Sequence, residues 1–162
     1  MHKAIDSLLK TRTWALQLVE GLSDEALNAI PEGFNNNIIW NLAHLVAVEQ
    51  GVCYVRSGLE PVLPMDFIKA YTRGTRPESA VAAEGIAEIK ALLLASPARL
   101  DADLTAGRFS GYKAWTTPYG VALDTIEDAL QFLQFHEGMH CGYIMAMKRV
   151  VAVEQPAPVS MA

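Results

Sequence analysis

The sequence predicts an all-α protein, a four-helix bundle with long crossover loops, and three observations support this fold. Apolar residues recur with a helical period in the long segments, Gly and Pro break the chain between them, and no segment alternates like a convincing strand. The 162 residues are the length of one domain, and 51% of them are hydrophobic. We expect one helical bundle domain over residues 1–153 and a flexible tail over 154–162.

The first half of the chain predicts two long helices. A first apolar stripe indicates a helix over Ile5–Leu22, with Arg12 among its polar positions, and a short helical turn over Asp24–Ala29 follows. A mostly apolar helix is expected from Asn37, whose amide suits an N-cap, to Ser57, and it stops at Gly58. Residues 58–76 have no clean period and are interpreted as a crossover loop.

The second half predicts two more helices. One begins near Pro77-Glu78 and is expected to be interrupted at Pro97, because proline lacks the N–H that a helix interior uses. The last runs to about Val151 from a capping box formed by Asp124 and Glu127. Residues 105–121 are an irregular connection, and a small hairpin around residues 115–123 is the main departure to expect from a purely helical fold.

Composition excludes several classes of protein. The net charge is -5, and no Lys/Arg cluster is present that could neutralise a nucleic-acid backbone. The continuous apolar runs are far shorter than the roughly 18 residues of a membrane span, and the N-terminus does not resemble a secretory signal. Two cysteines, Cys53 and Cys141, are too few for a disulfide scaffold, so we expect reduced thiols in a cytoplasmic protein.

Three of the four histidines are placed where they can bind a metal ion. His136 and His140 are four residues apart, about 40° around a helix and about 6 Å along it, and both lie on the apolar stripe of the last helix. His44 lies on an inward face of the second long helix. Three inward imidazoles suit a metal site with an open position, although each could instead be a buried histidine bonded to a neighbouring carbonyl or carboxylate. His2 is terminal and is left out of the site.

The residues from His136 to His140 also match the H-E-x-x-H pattern of zinc metalloproteases, in which the glutamate is the general base. That function is disfavoured because the segment after His140 contains no further histidine. Glu137 can still act as a base for a bound water or thiol, or it can be a neighbour that fixes a ligand. Both interpretations of Glu137 stay open from the sequence.

Two elements resemble a known family. Asn41-Leu42-Ala43-His44 and the segment His136 to Ile144 are similar to the N-x-x-H and H-x-x-x-H-x-G-x-I elements of the DinB-like (damage-inducible) metal-binding bundles. The resemblance covers essentially the whole chain. It implies that His44, His136 and His140 are the metal ligands. It also implies that Asn41, Gly142 and Ile144 are framework positions.

The family includes bacterial low-molecular-weight-thiol S-transferases, so the resemblance implies a divalent ion that activates a small thiol as the nucleophile. Zinc or nickel suits three imidazoles best, and iron or manganese is compatible with them. Many relatives have a second histidine, an arginine and a glutamine where this chain has Met139, Cys141 and Tyr143. Substrate contacts made at those three positions therefore do not carry over.

We predict a metal-dependent thiol transferase that acts on a small-molecule substrate, with no nucleic-acid or membrane partner, and that can form a homodimer. The alternatives are a stress-associated metal-binding protein without turnover, and a hydrolase that uses Glu137 as the base for a metal-activated water. Carboxylates of a thiol cofactor could contact basic residues in the loops, which are Lys69, Arg73, Arg76, Arg108 and Lys113.

Overall fold

The computed structural model describes residues 1–154. The α-helices and strands within that range are α1 Lys3–Leu18, α2 Asp24–Asn28, α3 Ile38–Glu49, α4 Met65–Ala70, α5 Ala83–Thr105, β1 Trp115–Thr116, β2 Ala122–Leu123 and α6 Ile126–Glu154, and a 3-10 turn, Arg108–Gly111, follows α5. The expected tail over 154–162 lies outside the described residues, apart from Glu154, at which α6 ends.

The four long helices form a bundle, as predicted. Helix α1 packs against α5 and α6, and α3 packs against the same two helices, so α1 and α3 lie diagonally across the bundle. The buried side chains form two apolar clusters, one around Leu42, Leu93 and Ile144 and the other around Leu8, Leu100 and Leu130. Every long helix contributes to both clusters, which therefore lie one above the other along the bundle.

Helix α3 changes its geometry before it ends. It continues as a π-helical turn, Gln50–Tyr54, and a 3-10 turn, Val55–Ser57, and it stops at Gly58, where φ is +71°. Among the described residues, Ile38–Ser57 is one helical segment long and apolar enough to cross a membrane by composition, and 83% of its most apolar window is buried inside the protein. Packing against the other helices accounts for that apolar composition.

The N-caps of α3 and α6 show one confirmed prediction and one correction. Asn37 Oδ1 accepts from the Trp40 N–H at 2.8 Å, as expected for an N-cap. The capping box of α6 lies one residue later than predicted from Asp124 and Glu127. Thr125 Oγ1 accepts from the Asp128 N–H at 3.2 Å, and Asp128 Oδ2 accepts from the Thr125 N–H at 2.9 Å.

Helix α5 differs from its prediction in where it begins and in its continuity at Pro97. It begins at Ala83 rather than near Pro77, and Pro97 lies inside it without ending it. Pro97 is buried, as are Leu93 and Leu100 on either side of it. The packing of this face therefore outweighs the loss of one helical hydrogen bond.

The connections between the long helices contain regular secondary structure. Helix α4 lies within residues 58–76, where the sequence indicated no helix. Strands β1 and β2 pair antiparallel, Trp115 opposite Leu123, so the small hairpin expected around residues 115–123 is present. Helix α1 ends at Leu18, four residues before the expected end, and Gly21 turns the chain with φ +78°.

Candidate metal centre

The structure brings the three predicted ligands together. His44 comes from α3, and His136 and His140 come from successive turns of α6. One nitrogen from each ring lies within 4.8 Å of the others, and the ring centroids are 4.5 to 5.1 Å apart. His44 and His136 are buried, and His140 is half-buried. This cluster of three histidines could hold a metal ion.

Two of the rings are fixed through Nδ1. His44 Nδ1 lies 2.5 Å from the carbonyl oxygen of Tyr71, and His140 Nδ1 lies 2.8 Å from Asn41 Oδ1. Both partners are oxygen acceptors, so each Nδ1 carries the proton and donates it. The Nε2 atom of each ring is then left with a lone pair for a metal ion.

A chain of amides sets the orientation of His140. Asn41 Nδ2 donates to the carbonyl of Asn37 at 2.8 Å, which leaves Asn41 Oδ1 to accept from His140. Asn37 is itself held, because its Nδ2 donates to the carbonyl of Asn28 at 2.9 Å while its Oδ1 caps α3. The residue predicted as a framework position, Asn41, thus joins the start of α3 to a ligand on α6.

The histidine cluster includes a buried ring nitrogen without a hydrogen-bond partner, and coordination of a metal ion through that nitrogen would satisfy it. His136 Nδ1 is buried and has no hydrogen-bond partner, which costs about 1–3 kcal/mol in an apolar interior. Burial, together with the nearby His140, His44 and Arg12, lowers the pKa of His136 to about 2. Burial and His44 lower the pKa of His140 to about 3, and burial lowers that of His44. All three imidazoles are therefore neutral near neutral pH, the form that binds metal ions.

The histidines open into a cavity of about 610 Å³. Trp40 stacks on His44 with ring centroids 4.6 Å apart, and Phe132 lies 5.7 Å from His136. The exposed side chains of Met139 and Tyr143 line the same cavity. A small molecule can therefore reach the cluster between walls that are largely aromatic and aliphatic.

The cavity contains two arginines, one of which the sequence did not indicate. Arg73 was among the predicted basic residues, whereas Arg56 was missed because it sits at the end of a helix rather than in a loop. Lys69 and Arg76 line a different pocket, and Arg108 pairs with Asp103 at 2.8 Å. Lys113 does not line the histidine cavity.

The carboxylate of Glu137 does not join the histidines. Its Oε1 accepts from Nε and Nη2 of Arg12 at 2.8 and 2.6 Å, and its Oε2 is buried without a partner. Burial raises the pKa of Glu137 to about 7, and the contacts with Arg12 counteract that effect. Glu137 lies outside both the group of ligand atoms within 4.8 Å and the cavity wall, so these contacts do not support its role as a base.

Arg12 is the centre of a buried polar cluster that the sequence did not predict. Its Nη1 donates to Glu49 Oε2 at 2.8 Å and to Ser96 Oγ at 2.7 Å, and its Nη2 reaches the carbonyl of Leu45. Arg12, Glu49 and Glu137 are fully buried. Burial alone would lower the pKa of Arg12, but the two carboxylates hold it above its ordinary value.

The other predicted positions have structural surroundings. Cys141 is buried in the core beside Ile144, and burial raises the pKa of its thiol to about 11. Cys53 is buried in the second apolar cluster. A Cβ atom at Gly142 would meet no atom within 4 Å, so local packing does not require glycine there.

Comparison with known proteins agrees with this geometry. The family model described as the DinB superfamily matches residues 7–144, a range that contains all three histidines and extends from within α1 to within α6. A search of the curated proteins finds no match for the chain.

Proposed function

Because this chain belongs to the DinB superfamily, we propose that it is a metal-dependent transferase that uses a low-molecular-weight thiol as its nucleophile. The observation that carries the proposal is the histidine cluster: three neutral imidazoles meet at the inner end of an open cavity. A structural metal site is closed by a fourth protein ligand, whereas three ligands with an accessible position are typical of a catalytic one.

The donor set fits a divalent ion held by His44, His136 and His140. A bound divalent ion would lower the pKa of a thiol in the cavity, so that thiolate is present at neutral pH. Neutral imidazoles suit zinc or nickel, and iron and manganese are compatible with them. Tyr71 and Asn41 hold two of the rings in one tautomer, so the Nε2 atoms of His44 and His140 stay available for the ion.

Metal content tests the site. We expect about one divalent ion per chain in the purified protein and a loss of that ion in His136→Ala. His2→Ala is the matched control, because it removes the one histidine that lies outside the cluster. Equal metal content in the wild type and in His136→Ala would mean that the histidines are structural.

Thiol dependence tests the reaction. The metal-loaded protein is incubated with a low-molecular-weight thiol and an electrophile, and loss of the thiol is followed with and without a chelator. Transfer that needs both the thiol and the metal supports the proposal. Bound metal without any turnover would favour a non-catalytic metal-binding protein, and hydrolysis without thiol that is lost in Glu137→Gln would favour the hydrolase.

The cellular setting belongs to the same proposal. Cys53 and Cys141 are free and buried, which suits a reducing compartment such as the cytoplasm. The substrate is a small molecule, since the cavity is of the size that drug-sized ligands occupy. Association into a homodimer stays a prediction, and sedimentation of the purified protein would test it.

A further inference from the structure

The charged side chains that line the histidine cavity are all basic among the described residues. None of the described residues that line it is Asp or Glu, although the whole chain has a net charge of -5. Arg56 and Arg73 do line it. The three histidines of the candidate metal centre line the same cavity, and imidazole is an uncharged ligand, so a divalent ion held there would keep its positive charge.

The two arginines have no acidic partner of their own. Neither Arg56 nor Arg73 forms an ion pair within the described part of the chain. The contrast is with Arg12, Arg99 and Arg108, each of which contacts at least one carboxylate. The guanidinium groups at the cavity are therefore free to pair with an incoming anion.

Arg56 is held in place before any ligand arrives. Its guanidinium carbon lies 4.5 Å from the ring centroid of Trp115, and Trp115 Nε1 donates to the Tyr112 hydroxyl at 3.1 Å. The carbonyl of Arg56 accepts from the Lys113 N–H at 2.9 Å. Stacking on the ring face leaves the N–H groups at the edge of the guanidinium available for a carboxylate.

We propose that the cavity binds a small organic carboxylate, whose anionic group contacts Arg56 and Arg73 while its other end meets the histidine cluster. The proposal rests on the proposed function, because it names the class of thiol: an acidic thiol rather than a neutral one. The apolar walls between the two ends strengthen the attraction, since they lower the local dielectric.

The test compares mercaptosuccinate with its uncharged diamide by calorimetry on the metal-loaded protein, and succinate with succinamide on the metal-free protein. We expect the acid of each pair to bind about tenfold tighter than the amide. Arg56→Gln and Arg73→Gln should each reduce that preference about fivefold to tenfold. Added salt should weaken binding of the acids and leave the amides unchanged.

Arg76→Gln is the matched control, because Arg76 lies in the same connection as Arg73 but lines the other pocket. The Arg76→Gln variant should prefer the acid over the amide as strongly as the wild type does. Arg56→Lys keeps the charge without the planar fork and should give an intermediate preference. Melting temperatures of all variants identify any that fails to fold, and Arg73→Gln then carries the test because Arg73 is exposed.

Equal binding of acid and amide, or the same loss in Arg76→Gln as in Arg56→Gln, would overturn this inference. The result is distinguishable from a failure of the proposed function. A preference for the acid without any thiol transfer supports the anion site and contradicts the transferase function. Thiol transfer that proceeds at the same rate with neutral and acidic thiols supports the transferase and contradicts the anion site.

Discussion

Arg12 and Glu137 meet across the centre of the bundle, where two nitrogens of one guanidinium donate to a single carboxylate oxygen at 2.6 and 2.8 Å. The same guanidinium contacts Glu49 of α3 and Ser96 of α5, so one side chain of α1 reaches all three other long helices. Along the bundle, these residues lie between the two apolar clusters described above. The core is therefore divided by a polar layer.

Removal of the central charge should be severely destabilising. Arg12→Met leaves two buried carboxylates without their partner, and we expect the free energy of unfolding to fall by about 3–5 kcal/mol. Denaturant unfolding followed by circular dichroism measures it. Arg99→Met is the control, because Arg99 is 56% exposed where it pairs with Asp103 and should cost at most about 1 kcal/mol.

A second variant separates charge from shape in this layer. Arg12→Met combined with Glu49→Gln and Glu137→Gln removes both uncompensated charges, so the triple variant should be more stable than Arg12→Met alone. A triple variant that is equally or less stable would show that packing, and not charge, accounts for the loss.

Asn41 should control metal affinity without being a ligand. Asn41→Ala removes the acceptor of His140 Nδ1 and is expected to weaken zinc binding about 10-fold to 100-fold in a chelator competition assay. Asn41→Asp keeps an oxygen acceptor and should retain most of the affinity. Asn35→Ala, which alters an exposed amide at the same cavity, should have no effect, and a comparable loss there would contradict the role given to Asn41.

Asp103 should make stability depend on pH in the acid range. Burial opposes ionisation, but hydrogen bonds from Arg108, Arg99 and Tyr54 lower the pKa of Asp103 below its ordinary value of 3.8. A carboxyl with a lowered pKa in the folded state contributes stability above 3.8, and that contribution disappears as the pH falls through the folded-state pKa.

The measurement for Asp103 is the difference in unfolding free energy between the wild type and Asp103→Asn. We expect the wild type to be more stable by about 1–3 kcal/mol near neutral pH, with the difference shrinking in strong acid. A difference that stays constant as the pH falls below 3.8 would refute this assignment.

The register of the α6 capping box can be tested by alanine substitution. Thr125→Ala removes the acceptor of the Asp128 N–H and should lower the free energy of unfolding by about 1 kcal/mol. Asp128→Ala should have a similar effect, since Asp128 Oδ2 accepts from the Thr125 N–H. Glu127→Ala should be close to neutral, and a larger loss there would favour the box predicted from the sequence.

The histidine site was predictable because its spacing is local. His136 and His140 lie on one face of a helix by their separation alone, and His44 lies on an inward face of its own helix. The apolar stripes likewise predicted four long helices and a bundle. The boundaries were harder, because a cap shifted by one residue, as at Thr125, uses the same residue types as its neighbour Asp124.

The polar layer was missed because its partners are distant in sequence. Arg12 looked like a surface residue, although it occupies the buried stripe that includes Leu8 and Ala15. Its position in that stripe was the one available indication. The carboxylates that make its burial tolerable are 37 and 125 residues away, and no local pattern identifies them. The contact of His44 with the carbonyl of Tyr71 could not be predicted from the sequence either, since any residue supplies a carbonyl.

The π-helical turn Gln50–Tyr54 lies between His44 and Arg56 on one continuous helix. Such a turn holds one residue more than the regular helix, so the same residues wound as a regular α-helix would rotate every later side chain by about 100°. His44 precedes the turn and would stay with its partners on α6, whereas Arg56 would turn away from the cavity. The winding of the five residues in this turn therefore decides whether Arg56 faces the cavity, while the ligand His44 before them is unaffected.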